Sequence, residues 1–263
     1  MNFETSNDYT QTIFARARLA VSARKPSSQR PIRSFVLLSD RSSQPVSKEF
    51  PPMSTAEAPV EIWNRRYATE DRENRLKYER WLDRWVDLLR VRKGRALDLG
   101  CGPGFDSSFL LGLGFDVTAL DHSKTAIAIS EQKNPQATHL VADIRQLSEV
   151  VSGEFAVIVA NLSLHYFNRS ETDSAFATIN QLLPAGGFFA FRVNAYDEHG
   201  APADRKSWNL VTVDGVPKQF FDERKITDLL EKTSEIVSIE KRTTDRFGRR
   251  KSLFEVVALK RRT

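Results

Sequence analysis

Cysteine is nearly absent from this sequence: Cys101 is the only one among 263 residues, so no internal disulfide bond is available. A chain without disulfides is typical of reducing compartments, and we expect a cytoplasmic protein. Long apolar runs are also absent, since none approaches the roughly 18 residues that a membrane-spanning helix requires. The four histidines and the cysteine lack the spacing of a zinc site. We therefore expect neither a membrane partner nor a bound metal.

The net charge of +5 is unevenly distributed along the chain. Residues 1–52 hold eight Lys or Arg and four Asp or Glu, which accounts for four of the five net charges. Residues 53–263 are therefore close to neutral and lack the basic surface that general nucleic-acid binding requires. We expect no nucleic-acid partner.

The first 52 residues are rich in Ser, Pro and Arg. Their composition predicts a disordered tail, followed by one folded domain over residues 53–263. Three interpretations of the tail stay open: a solvated segment without function, an organelle-targeting peptide, or a stretch upstream of a true start at Met53. We favour the start at Met53, because Lys48 and Glu49 can be encoded as a ribosome-binding sequence shortly before it.

Beyond this tail, helix and strand patterns alternate, which predicts a doubly wound, Rossmann-like α/β fold with a mostly parallel sheet. Five strands are expected at "RALDLG", "FDVTAL", "THLVAD", "EFAVIVAN" and "GGFFAFRVN". Two further strands, "EIVSIEKR" and "SLFEVVALK", are separated by a short turn and must pair as an antiparallel hairpin. The sheet is therefore expected to have seven strands.

Two helices are expected before the first strand, over residues 59–68 and 72–91; the family resemblance described below implies that these N-terminal helices cover the cofactor cleft. In the second, large side chains recur at helical spacing at Tyr78, Leu82, Trp85 and Leu89.

Two local patterns later in the chain predict a helix start and a turn. Ser170 and Asp173 have the spacing of a capping box for a helix over residues 171–183. The polar loop over residues 195–220 carries an Asp-Gly pair at 214–215, which is typical of a hairpin turn.

The most informative stretch is D-L-G-C-G-P-G, residues 98–104, directly after the first strand. Glycines let the backbone turn tightly and approach a ligand closely. Ligands of doubly wound sheets bind at the carboxyl ends of the strands. Asp121 ends the second strand, where its carboxylate can accept hydrogen bonds from both hydroxyls of a ribose. The pattern predicts a nucleoside-binding site.

A dinucleotide cofactor fits this loop poorly. The dinucleotide fingerprint is G-x-G-x-x-G, and the frame that begins at Gly102 places Ser107 where the third glycine belongs. None of the five tyrosines begins a Tyr-x-x-x-Lys pair. These residues disfavour a nicotinamide-dependent oxidoreductase, which we keep as an alternative.

The loop from Asp98 to Gly104, together with Asp121, resembles the class I S-adenosylmethionine-dependent methyltransferases. "VADI" at 141–144 resembles the adenine-binding segment of that family, and "ANLSLHYF" at 160–167 resembles the segment that faces the transferred methyl group. "LLPAGGFFAFRVN" is similar to the turn into the fifth strand. "EIWNRRYA" is similar to the compact tellurite-resistance and thiopurine members, in which a helix with Trp and Tyr covers the cofactor.

The resemblance implies S-adenosylmethionine as the cofactor. The glycine loop would pass beneath its methionine part, and Asp98 would steady the loop or the amino group. Asp121 would bind the ribose, and Asp143 with the backbone of Ile144 would bind the adenine. The implied cofactor-binding residues are Trp63, Tyr67, Asp98, Gly100, Cys101, Gly102, Gly104, Asp121, His122, Asp143, Ile144 and Asn161.

The chemistry of this cofactor agrees with these residues, because it carries a cationic sulfonium and an ammonium but no phosphate. Acids around the pocket suit such a ligand, and the rings of Trp63, Tyr67 and Tyr166 could face the sulfonium. Simpler roles stay open. Trp63 and Tyr67 could only pack their helix onto the sheet, His122 could be a loop residue beside the ribose, and Cys101 could fill space.

The resemblance predicts in-line methyl transfer to a small-molecule acceptor with a sulfur, oxygen or nitrogen nucleophile. His165 is the candidate general base, since imidazole exchanges protons near neutral pH; the alternative is that it only shapes the pocket. Tyr166, Arg192 and Asn194 are expected at the acceptor, where Arg192 and Asn194 could bind an anionic or polar group. We expect a monomer or homodimer. The alternative from another class is a non-catalytic cofactor-binding or adaptor protein.

Overall fold

The structure is a computed structural model that describes residues 59–70, 78–196, 208–246 and 249–262. The predictions for the tail over residues 1–52, including a start at Met53, lie outside the described residues or at masked positions. No helix of the described part of the chain is both long and apolar enough to cross a membrane.

Nine strands are present in the described residues: β1 (Arg95–Leu99), β2 (Asp116–Asp121), β3 (Thr138–Val141), β4 (Val157–Asn161), β5 (Phe188–Asn194), β6 (Val211–Val213), β7 (Val216–Lys218), β8 (Ser234–Arg246) and β9 (Arg249–Lys260). Seven of them form one sheet in the order β3-β2-β1-β4-β5-β9-β8. Strands β1 to β5 are parallel, whereas β9 is antiparallel to both β5 and β8. The predicted seven-stranded α/β sheet with an antiparallel C-terminal hairpin is confirmed.

The register of the parallel strands brings the candidate site together. Asp98 near the end of β1 lies beside Ala119 of β2 on one side and Val159 of β4 on the other. Asn161 at the end of β4 lies beside Arg192 of β5. Because parallel strands end at the same edge, the loops after β1, β2, β4 and β5 meet there.

The described helices are α1 (Pro59–Glu70), α2 (Val86–Arg90), α3 (Phe105–Gly112), α4 (Lys124–Lys133), α5 (Leu147–Val150), α6 (Arg169–Leu182) and α7 (Glu223–Leu230). Single turns of 3₁₀ helix occur at Asp83–Trp85, Ile144–Gln146 and Leu164–Tyr166.

The continuous helix predicted over residues 72–91 is wrong in its described part. Only α2 is α-helical, and it follows the 3₁₀ turn at Asp83–Trp85. Arg80 has a φ of +54°, which a right-handed helix does not allow. The Asp83 carboxylate accepts hydrogen bonds from Tyr78 Oη at 3.1 Å and from Arg80 Nε at 2.6 Å, and this local turn replaces helical bonds. The regular spacing of the apolar residues reflects their burial rather than a helix, since Leu82, Trp85 and Leu89 are all buried.

The capping box predicted at Ser170 and Asp173 is also wrong, because the helix begins earlier. Asn168 Oδ1 accepts from the Glu171 amide at 3.0 Å, and Glu171 Oε2 accepts from the Asn168 amide at 2.9 Å. Asp173 instead forms an ion pair with Arg169 at 2.7 Å. Asn caps a helix as well as Ser does, and here the side chains of Asn168 and Glu171 each accept from the backbone amide of the other residue.

The predicted hairpin is confirmed: β6 and β7 pair antiparallel around Asp214 and Gly215. Both turn residues have positive φ, +53° and +76°, which matches the right-handed twist of the two strands. The turn packs against α1, because Arg66 Nη2 donates to the Asp214 carbonyl at 3.0 Å. The hairpin and α1 therefore form a common cover at the carboxyl edge of the sheet.

Candidate functional site

Three glycines shape the loop after β1. Gly100, Gly102 and Gly104 have φ values of +70°, +53° and +78°, a region that side chains strain. A Cβ at Gly100 would overlap Ser163, and a Cβ at Gly104 would overlap Ser130 and Asn134. The positive φ values and the lack of space for a side chain therefore both require glycine at these positions.

Asp121 ties the loop to β2. Its Oδ2 accepts from the Gly102 amide at 2.9 Å, and its Oδ1 accepts from the Ser123 amide at 2.8 Å. Burial raises the pKa of this carboxyl, while the two amide bonds act against that shift. Each carboxylate oxygen has a further lone pair, so Asp121 can hold the loop and accept from a ligand at once.

Two more carboxylates are buried beside the loop. Asp98 Oδ2 accepts from Ser107 Oγ at 2.6 Å, whereas Asp98 Oδ1 has no hydrogen-bond partner among the described residues. Burial, with the nearby Asp106 charge, raises the pKa of Asp98 well above its usual range. Asp106 accepts from Trp81 Nε1 and Asn161 Nδ2, each at 2.9 Å. The sequence analysis missed Asp106, and the available signal was an acid in the first turn after the glycine loop.

Aromatic side chains of α1 lie over the loop. The rings of Trp63 and Tyr67 stack with centroids 5.7 Å apart, and Trp63 meets Tyr166 edge-on at 5.6 Å. A Cβ at Gly102 would lie 3.0 Å from Tyr67 Oη, so this ring covers the glycine directly. Asn64 anchors the helix, since its Oδ1 accepts from Ser123 Oγ at 2.7 Å.

Between this cover and the sheet edge lies a cavity of about 330 Å³, a volume typical of small-ligand sites. Most of the residues predicted to bind the cofactor or the acceptor line this cavity. The predicted residues that line it are Trp63, Tyr67, Gly100, Asp121, His122, Asp143, Ile144, Asn161, His165, Tyr166 and Asn194. Residues 78–90, part of the second predicted covering helix, contribute no lining.

Four members of the predicted loop set lie behind the lining: Asp98, Cys101, Gly102 and Gly104. Cys101 packs in a small buried cluster with Ala119 and Ile127. Burial raises the pKa of its thiol well above the usual range, which keeps the sulfur protonated. This environment favours the space-filling role for Cys101.

Arg192 also lies behind the cavity wall rather than at the acceptor position. Its side chain is 5% exposed and forms an ion pair with Glu79. Its Nη1 also lies 3.4 Å from Asn161 Oδ1. Arg192 therefore helps to orient Asn161, and the expectation that it binds the substrate is not supported by its position.

Asp143 lines the cavity but is already engaged by a neighbouring cation. It accepts from Arg145 Nε at 3.0 Å and Nη2 at 2.6 Å. Burial acts to raise the pKa of Asp143, but the Arg145 hydrogen bonds outweigh it and lower the pKa overall. Arg145 also contacts Glu171 at 3.2 Å. The adenine contact of Asp143 stays a prediction.

The residues expected near the transferred methyl group follow β4. His165 is buried at the cavity wall, and its ring centroid lies 4.3 Å from that of Tyr166. The residue after β7 holds the backbone at His165, because the Gln219 amide donates to the His165 carbonyl at 2.7 Å. The base role of His165 stays a prediction.

The sequence analysis missed four cations that line the cavity: Arg66, Arg145, Lys218 and Lys251. The available signal was strongest for Arg66, which lies three positions after Trp63 and thus on the same face of α1.

Comparison with known proteins agrees with this architecture. A family model described as "Methyltransferase domain" matches residues 96–187. The malonyl-[acyl-carrier protein] O-methyltransferase of Enterobacter lignolyticus is 30% identical over 120 residues, which cover 46% of this chain and 46% of that protein. The chain spans about half the length, or less, of the curated relatives it matches.

Two solved structures share the fold. TehB from Haemophilus influenzae has a TM-score of 0.57 at 18% identity, covering 76% of this chain and 67% of that chain. The N-methyltransferase NodS from Bradyrhizobium japonicum, in complex with S-adenosyl-L-homocysteine, has a TM-score of 0.57 at 16% identity, covering 76% of this chain and 97% of that chain. At these identities the likeness establishes the fold.

The segment matched by the family model contains the glycine loop, Asp121 and the residues after β4, whereas α1 and the hairpin that cover the cavity lie outside it. It also favours the methyltransferase interpretation over the nicotinamide alternative. Residues 96–187 therefore carry a methyltransferase domain, and the fold is the one shared by TehB and NodS.

Proposed function

We propose that this protein transfers a methyl group from S-adenosylmethionine to a small-molecule acceptor held in the same cavity. The observation that carries this proposal is the continuity of the cavity. We assign the cofactor to an end at Gly100 and Asp121 and the acceptor to an end at His165, Tyr166 and Asn194, since all five residues line this one cavity. A cofactor and an acceptor bound at these two ends would meet inside one enclosure.

The charges behind the loop support S-adenosylmethionine at the first end. Three buried carboxylates, Asp98, Asp106 and Asp121, lie close enough to raise the pKa of Asp98 by repulsion as well as by burial. Asp98 lies behind the lining, so its charge would act on the cofactor through the glycine loop rather than by contact. A ligand with an ammonium and a sulfonium relieves this repulsion, whereas a phosphate would increase it.

S-adenosylmethionine supplies a methyl group on a cationic sulfur, which a nucleophile displaces in line. The protein supplies alignment and the exclusion of water. Asp121 and the glycine loop would fix the ribose and methionine parts, and Asn161, held by Asp106 and Arg192, would form a fixed wall near the methyl group. The rings of Trp63 and Tyr67 cover this end of the cavity.

His165 would accept a proton from an acceptor that is protonated at neutral pH, such as a phenol or an ammonium group. A thiolate or carboxylate acceptor would need no base. The proposal therefore assigns His165 a role that depends on the nucleophile, and the pH profile of turnover distinguishes the two cases.

The test is release of S-adenosylhomocysteine in the presence of S-adenosylmethionine and a panel of thiols, phenols, amines and carboxylates. We expect turnover with at least one acceptor class. Because one relative is named for a malonyl group on a carrier protein, malonyl-[acyl-carrier protein] belongs in the panel beside a malonyl thioester without the carrier. Turnover only with the carrier-bound acceptor would contradict the small-molecule assignment. Cofactor binding without turnover on any acceptor would favour the adaptor alternative.

A further inference from the structure

Three charged side chains of the cavity lining form an ion-paired cluster after β3: Asp143, Arg145 and Glu171. Arg145 contacts Asp143 at 2.6 Å and Glu171 at 3.2 Å. Glu171 is itself fixed, because its Oε2 accepts from the Asn168 amide at 2.9 Å at the start of α6. Arg145 is therefore held between an acid of α6 and the acid that follows β3.

The Asp143 carboxylate receives three hydrogen bonds from this one residue. Its Oδ1 accepts from the Arg145 backbone amide at 2.9 Å and from Arg145 Nε at 3.0 Å, and its Oδ2 accepts from Arg145 Nη2 at 2.6 Å. A carboxylate has about four acceptor positions, two on each oxygen. Among the described residues, Oδ1 is therefore filled, and Oδ2 keeps one position for a ligand of the cavity that Asp143 lines.

Asp121 differs from Asp143 in this respect. Each of its oxygens accepts one backbone amide and keeps a second position, which suits the two hydroxyl groups of a ribose. The segments that carry the two acids are adjacent, because the Asp121 carbonyl accepts from the Ala142 amide at 3.0 Å. A nucleoside held by its ribose at Asp121 therefore has an acceptor with a single open position in the neighbouring segment.

Arg145 also determines the charge and the orientation of that acceptor. Burial acts to raise the pKa of Asp143, but the hydrogen bonds and the charge of Arg145 outweigh burial and lower the pKa overall. Asp143 is thus ionised at neutral pH, where it can accept hydrogen bonds but not donate them. A planar guanidinium that bonds to both oxygens restricts the rotation of the carboxylate. The result is a fixed acceptor for one donor.

We propose that Arg145 is a positioning residue that makes the cavity selective for adenine over purines with a carbonyl group in place of the amino group. Oδ2 of Asp143, held by Arg145, accepts from the amino group, whereas a carbonyl oxygen there would place an acceptor against an acceptor. Such a purine could offer its ring N–H only if the carboxylate turned, and Arg145 prevents that turn. This inference rests on the proposed function, since it concerns recognition of the cofactor of that function.

The experiment compares the binding of two ligands to the full chain by calorimetry. S-inosylhomocysteine carries a carbonyl oxygen and a ring N–H where S-adenosylhomocysteine carries an amino group and an unprotonated ring nitrogen. We expect the wild type to bind the adenosyl ligand about 30-fold or more tightly than the inosyl ligand. Arg145→Gln should reduce this ratio about fivefold or more, because a carboxylate that can turn accepts from the ring N–H of the inosyl ligand. Arg145→Lys should reduce it as well, since an ammonium keeps the charge but cannot bond to both oxygens in the same way.

Asp143→Asn tests the same geometry from the side of the acceptor. The Arg145 backbone amide still needs an acceptor, so the amide oxygen of the new side chain should take the Oδ1 position and its NH₂ group the Oδ2 position. The ligand then meets a donor, and the preference for the adenosyl ligand should disappear or reverse. A preference equal to that of the wild type would overturn the inference.

Arg224→Gln is the matched control, since Arg224 is exposed on α7 and lies outside the cavity lining. It should keep the wild-type ratio. The side chains of Asp143 and Arg145 are partly exposed, so we expect the variants to fold, and urea denaturation verifies this. If the wild type binds both ligands equally, or if the Arg145 variants keep its ratio, the inference is wrong while the proposed function stands. Failure of the wild type to bind S-adenosylhomocysteine would instead overturn the proposed function.

Discussion

At the scale of single residues, the site depends on a carboxylate that has structural partners as well as room for a ligand. Asp121 lines the cavity and accepts two backbone amides from the loops on either side of it, whereas Asp98 lies behind the lining and accepts one hydroxyl. A side chain that both holds a loop and binds a ligand couples stability to affinity, so its replacement changes both.

Replacing Asp121 with alanine should weaken S-adenosylhomocysteine binding about 30- to 1,000-fold, because a carboxylate accepting ribose hydroxyls is lost. The amides of Gly102 and Ser123 also lose their acceptor, which should lower the free energy of unfolding by about 1–2 kcal/mol. Calorimetry and urea denaturation measure the two effects. Asp116→Ala, at the exposed start of the same strand, is the control. A folded Asp121→Ala protein with affinity within a few-fold of wild type would refute the ribose assignment.

Replacing His165 with alanine should reduce turnover about 100-fold on an acceptor that is protonated at neutral pH, with S-adenosylhomocysteine affinity nearly unchanged. The pH profile of the variant should lose the rise that a general base produces. Steady-state kinetics across pH with a phenol and a thiol acceptor make the measurement. Equal loss with both acceptors, and an unchanged profile, would leave His165 only the role of shaping the pocket.

At the scale of elements, the cavity owes its enclosure to α1 and the β6–β7 hairpin. Asn64 ties α1 to the start of α4 through Ser123, and Arg66 ties it to the hairpin turn through the Asp214 carbonyl.

Replacing Asn64 with alanine should therefore loosen α1 without unfolding the sheet. Because one buried hydrogen bond is lost, we expect S-adenosylhomocysteine to bind about 3- to 30-fold more weakly, mainly through faster dissociation. Stopped-flow fluorescence from Trp63 follows the dissociation rate. Thr69→Ala, an exposed position on the same helix, should leave the rate unchanged. The same rate in both variants would show that Asn64 does not hold the cover.

At the scale of the whole molecule, the buried carboxyl group of Asp98 makes stability depend on pH. Burial and the Asp106 charge raise the pKa of Asp98 in the folded protein. Below the unfolded pKa the group is protonated in both states and has no effect. As pH rises from about 4, the unfolded chain ionises first, so the folded protein loses stability until the folded pKa is passed.

Asp98→Asn should therefore stabilise the ligand-free protein, and by more at pH 7 than at pH 4. The amide keeps an oxygen to accept from Ser107, and it removes the cost of ionising a buried acid. The same change should also weaken S-adenosylhomocysteine binding, because a negative charge behind the lining no longer attracts the ligand ammonium. Urea denaturation at several pH values gives the first effect and calorimetry the second. A stability difference that shrinks as pH rises would contradict the assigned pKa direction.

Local patterns determined a large part of this protein from sequence. The strands of the sheet, the antiparallel C-terminal pair, the glycine loop and the Asp214-Gly215 turn all depend on backbone preferences of a few neighbouring residues. The helix predicted over residues 72–91 from helical spacing was wrong, because burial of Leu82, Trp85 and Leu89 gives the same apolar pattern without a continuous helix. The capping box failed because Asn168 and Ser170 are both competent caps, and only packing chooses between them.

Only the tertiary structure decided which side chains face the cavity. Arg192 and Asn194 end the same strand, yet Arg192 is bound by Glu79 behind the wall while Asn194 lines the cavity. Arg66, Lys218 and Lys251 come from a helix, a hairpin and the last strand, and their meeting depends on how these elements pack. Sequence determines what each residue can do with its neighbours along the chain, whereas a binding site is built from residues that are distant in sequence and adjacent in space.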